Sequence, residues 1–139
     1  MKKKTNIVIR TQYLIGIIFF CLFYTLNINA QEWQAPKEAD QISNPLSEDL
    51  KAIEKGRKIY YQICALCHGR SGKGDGPNAK TLSKQPADHT SDLIQNQSDG
   101  ALYWKISKGK DPMPSYNEVF SKTQRWQIIA FIRTLKDNR

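Results

Sequence analysis

Cys64-Ala65-Leu66-Cys67-His68 decides how this chain is read. On a helix, the two cysteines stand one turn apart on the same face, and an imidazole comes directly after them. A redox-active C-x-x-C opens a helix in a βαβ setting, and a structural zinc site wants four ligands, commonly from a second C-x-x-C. Here the motif ends an apolar helical stripe, no strand pattern precedes it, and no second pair exists.

On its N-terminal side, Leu50, Ile53, Gly56, Ile59, Tyr60 and Ile63 recur at spacings of three and four and predict one amphipathic helix running up to Cys64. Ser47 is the expected N-cap, with Glu48 and Asp49 in the first turn. Glycine inside a helix costs about 1 kcal/mol in propensity, so Gly56 predicts a second helix crossing close against its backbone. The clearest candidate is the last helix. Ser121 and Gln124 form a capping box ahead of Trp126, Ile128, Ile129, Phe131, Ile132 and Leu135. A shorter helix is expected from Asp99 to Lys108, stopped by Gly109. Residues 69–97 read as a long loop with at most a helical turn near Ala79 to Leu82. Its Gly-rich start is no phosphate loop, because Gly74 stands where Ser or Thr is required. No segment alternates apolar and polar residues, so the fold class is all-α.

In that setting, C-x-x-C-H is a haem-attachment motif. Two thiols one turn apart reach two vinyl groups on one edge of a porphyrin, and His68 brings its imidazole to the iron. A sixth ligand must come from the opposite side, and the candidates are Met113 and His89. Met113 lies between Pro112 and Pro114, which stiffen its backbone and suit a weak thioether bond. His89, in Ala87-Asp88-His89-Thr90, reads as an exposed loop histidine.

The chain has 139 residues, room for one domain. Lys2, Lys3, Lys4 and Arg10 ahead of an apolar run from Tyr13 to Leu26 read as a signal peptide, with cleavage after Ala30. The alternative is an uncleaved anchor, since the uncharged stretch is long enough for roughly 30 Å of hydrocarbon. Cleavage removes Cys21 and Met1, leaving two cysteines and Met113 as the sole methionine. It also removes four of the 21 basic residues, leaving 17 against 13 acidic ones and a net charge of +4. The positive charges are dispersed without an arginine-rich run, which argues against nucleic acid and for an acidic patch on a redox partner. Residues 31–46 read as an extended arm bearing Trp33, and residues 47–139 as the domain.

Together these stretches resemble the class I c-type cytochromes. The likeness extends over nearly all of the exported chain: Gly56 and Tyr60 before CALCHG, then GKGDGP, SDGALYWKI, MPSY and RWQIIAFIRTL. It implies the small cytochrome c fold, with N- and C-terminal helices crossing near Phe131 around one covalently attached haem c. It implies Cys64 and Cys67 as thioether residues, His68 as proximal and Met113 as distal iron ligand. Pro77 is similar to the family proline whose carbonyl accepts the proximal histidine's Nδ1 proton, with Pro86 as competitor. His89 and the Trp33 arm depart from the family pattern.

The implied activity is single-electron carriage rather than catalysis, between periplasmic or membrane redox partners such as a dehydrogenase, reductase or terminal oxidase. Lys73 and Lys84 are candidates for steering a partner. Two other classes stay open: a haem enzyme or gas sensor with a free sixth position, and a dithiol–disulfide protein. The expected location is the periplasm, or the inner membrane facing it if the N-terminal segment is retained.

Overall fold

The computed structural model describes residues 33–136. The signal-peptide expectation for residues 1–30 lies outside them. The unit Gln34–Arg139 carries the described helices and the motif. Five α-helices are named here: α1 Leu50–Ile59, α2 Ala65–His68, α3 Asp92–Gln95, α4 Asp99–Lys108 and α5 Lys122–Arg133. A π-helical turn, Tyr60–Cys64, joins α1 to α2, and short 3-10 turns occur at Lys37–Gln41 and Ala79–Thr81. The described residues contain no strand, only an isolated bridge between Lys110 and Met113. The all-α expectation holds.

The crossing of α1 on α5 is the centre of the fold. A Cβ on Gly56 would overlap the Gln127 carbonyl, so only glycine lets the two backbones come this close. Around that contact Tyr60, Ile128 and Ile129 are fully buried. The Tyr60 ring tilts against Phe131 with 5.1 Å between centroids, and Tyr61 meets the same ring edge-on at 5.6 Å. Helix α5 begins with the expected capping box: Ser121 Oγ accepts the Gln124 amide at 3.2 Å, and Gln124 Oε1 accepts the Ser121 amide at 2.8 Å. Helix α4 spans its expected residues, with Ser98 as N-cap.

Three local expectations are corrected. The N-cap of α1 is Asp49, whose carboxylate accepts the Lys51 and Ala52 amides at 2.8 and 3.0 Å. Ser47 instead sits in a turn begun by Asn44, whose Oδ1 accepts the Leu46 amide. Leu50 consequently stands at the helix start, 79% exposed, outside the apolar stripe. The stripe also fails at Ile63, which is exposed, because the π turn inserts a residue and rotates the chain beyond it. Finally, the segment read as an extended arm carries the Lys37–Gln41 turn with Ala39 buried. It is tied down by Ser98 Oγ donating to Asp40 and by Asn44 Nδ2 donating to the Trp126 carbonyl.

Two substitutions test this packing. Gly56→Ala, which in an exposed helix would gain about 1 kcal/mol, should here destabilise by about 1–3 kcal/mol through overpacking. A lowered midpoint in thermal or denaturant unfolding is the expected reading, and a raised one contradicts the close crossing. Asp49→Ala should cost about 1 kcal/mol in the same assay.

Candidate haem site

The motif stands where the helix geometry changes. Cys64 ends the π turn, while Cys67 and His68 belong to α2. Helix α2 is only four residues long and is held from behind. The carbonyls of Ala65, Leu66, Cys67 and His68 accept the amides of Gly69, Asn78, Gly76 and Gly74, at 2.8–3.0 Å. The glycine-rich stretch is thus a cap that satisfies every carbonyl a helix end leaves open. Pro77 lies in this cap and is exposed.

Burial favours the neutral forms of Cys64 and His68. Burial pushes the Cys64 thiol up to about 12, with a smaller push from Cys67. Such a thiol is a poor thiolate at neutral pH, which argues against the dithiol–disulfide class, whose attacking cysteine has a lowered pKa. Neither Cys64 nor Cys67 is in a disulfide. Burial also lowers the pKa of His68, partly opposed by its bond to the Ala87 carbonyl. That bond, 2.9 Å from Nδ1, fixes the tautomer: a carbonyl only accepts, so Nδ1 carries the proton and Nε2 keeps its lone pair.

The partner of Nδ1 corrects the expectation for Pro77. The Pro77 segment is committed to the α2 carbonyls, so the chain meets His68 only after the loop has turned back, at the residue next after Pro86. His89 is likewise not an exposed loop histidine. Its ring stacks on that of His68, with 4.0 Å between centroids and 18° between planes. Its Nδ1 lies 3.0 Å from the Tyr60 hydroxyl. Burial, then the neighbouring His68, holds its pKa well below the ordinary value. His89 therefore sits beside the expected proximal ligand, ring against ring.

Met113 is part of the apolar cluster that also includes Cys64, Tyr61, Ile94 and Tyr116. Lys110 and Met113 exchange both backbone hydrogen bonds at 2.9 Å across a cis Asp111–Pro112 peptide. The loop after Met113 is fastened to α4 by the Tyr116 amide on the Ile106 carbonyl and by Ser115 Oγ on the Ser107 carbonyl. Buried Arg125, at the start of α5, spans both stems of the loop. It donates to Ser107 Oγ at 2.8 Å and to Asn117 Oδ1, and its guanidinium lies 4.7 Å over the Tyr103 ring. The Tyr116 hydroxyl has its pKa raised, by burial first and then by Cys64 and Cys67. No sequence signal marked Ala87 or Arg125; the loop path and the helix start reveal them. Lys73 and Lys84 are exposed.

The donor set fits a haem c: two unpaired thiols, a neutral imidazole with a free Nε2 lone pair, and a flanking apolar cluster. Comparisons with known proteins agree. The family described as "Cytochrome C oxidase, cbb3-type, subunit III" matches residues 51–132. A cytochrome c6 from a Synechococcus species is 29% identical over 80 residues, which cover 58% of this chain and 67% of that one. A chain of the reducing HAO-like protein complex of Kuenenia stuttgartiensis superposes with a TM-score of 0.60 at 28% identity, over 69% of this chain. The match spans half the length of that chain. The protein therefore belongs to this c-type cytochrome family, as a class I, monohaem electron carrier with covalently bound haem c.

Proposed function

We propose that the chain is exported, cut after Ala30, and carries single electrons between redox proteins in the periplasm. Cys64 and Cys67 form the thioethers, His68 is the proximal ligand and Met113 the distal one. When bound, haem c supplies a one-electron iron couple. The observation that carries the assignment is the His68 Nδ1–H bond to Ala87, which leaves the Nε2 lone pair available to a metal. Met113 is favoured over His89 because His89 flanks His68 on the same side, whereas Met113 is held in a twice-bonded turn and packs, like Cys64, against the apolar core.

Methionine opposite histidine favours the reduced state. With both positions filled, the work is outer-sphere transfer, which sets this reading apart from an enzyme or gas sensor. The matched chain from a complex described as reducing HAO-like suits a carrier that works against a protein partner. Exposed Lys73 and Lys84 would steer an acidic face of that partner, with a rate that falls as salt rises.

Replacing Met113 by alanine tests the distal assignment. The ferric iron–sulfur charge-transfer band should vanish, and the potential should drop by a substantial fraction of the roughly 0.8 V that axial ligands span. The ferrous variant should then bind carbon monoxide readily. An unaltered spectrum and potential contradict the assignment.

A further inference from the structure

His89 is tied down more thoroughly than a loop residue needs. Its amide donates to the Gly72 carbonyl at 2.6 Å, and its own carbonyl accepts Gln95 Nε2, which also donates to the Ile132 carbonyl on α5. At Gly72, φ is +84° and an added Cβ would come within 3.2 Å of the His89 Cβ and 2.9 Å of Leu135. The backbone of residue 72 therefore fits against His89 only as glycine. The His89 ring has two faces of contact: the stacked His68 ring at 4.0 Å and the Tyr60 ring, edge-on at 5.7 Å. A phenol is the better donor and an imidazole the better acceptor, so Tyr60 donates to His89 Nδ1 and the His89 proton sits on Nε2.

We infer that His89 is a positioning residue for the proximal ligand, fixing the plane of the His68 ring and lowering the reduction potential through its π face. The inference rests on the reading of His68 as that ligand. A hydrogen bond at Nδ1 restrains the imidazole along one in-plane direction and leaves its tilt soft. A parallel ring at 4.0 Å restrains the tilt. The two contacts act at right angles, and the loop delivers both within three residues, Ala87 and His89. The electrostatic consequence has a definite sign. The His68 ring carries more positive charge when the iron is ferric, and the electron-rich face of a neutral imidazole stabilises that charge. An aliphatic side chain in its place would not.

The test is redox titration and ferric electron paramagnetic resonance of the matured protein with His89→Leu, His89→Phe and Tyr60→Phe. His89→Leu should raise the potential by about threefold in the Fe(III)/Fe(II) ratio, roughly 30 mV at 59 mV per decade, and change the g-value spread that reports imidazole orientation. His89→Phe, which retains a stacked ring, should keep the g-values and shift the potential less. Tyr60→Phe frees the His89 ring at one end and should move both readings toward those of His89→Leu. If the folded variants differ from the parent in melting temperature alone, His89 merely fills space and the inference is overturned. Should His89→Leu not mature, unchanged readings in Tyr60→Phe overturn it equally. Failure of the underlying reading looks different: the parent protein's low-spin spectrum would then survive His68→Ala.

Discussion

The constraint on which the rest depends is the contact of two backbones at Gly56. There α1 and α5 touch without a side chain between them, and Tyr60, one turn further along, packs against Phe131. The π turn after α1 moves the chain by one residue, ends at Cys64 and hands Cys67 and His68 to a short helix. A helix of four residues has little stability of its own. The loop that returns to cap all four of its carbonyls supplies what cooperativity cannot.

Burial disfavours charge around the motif. The Cys64 thiol and the two stacked imidazoles are shifted toward their neutral forms mainly by burial, and a carbonyl rather than a carboxylate meets His68 Nδ1. A carboxylate there would make the imidazole a stronger donor and favour ferric iron. A carbonyl partner, and the thioether proposed opposite it, would both suit a carrier poised toward reduction. Arg125 shows the same economy on the other side, where one buried cation holds both stems of the Met113 loop through neutral acceptors and a ring face.

Much of this was legible in the residues because it rests on local rules. C-x-x-C-H fixes its own spacing, S-x-x-Q announces its helix, and a glycine inside an apolar stripe reports a close crossing. What was not legible depends on where loops travel. The partner of His68 lies 19 residues away, and whether Pro77 or Ala87 fills that role is decided by which segment α2 has already engaged as its cap. His89 reads as a solvated polar residue because its burial comes entirely from tertiary neighbours: Tyr60, His68 and Gly72. The π turn has no composition signature, so Ile63 looked buried, and the α1 cap shifted because Asn44 organises a turn of its own.

Covalent attachment of haem through both sulfurs is the central claim, and peptide mass spectrometry of the matured protein tests it most directly. Cleavage after Lys58 and Arg70 releases residues 59–70. That peptide should carry the mass of one haem, with neither Cys64 nor Cys67 open to alkylation. An unmodified peptide that takes up two alkyl groups would contradict the account.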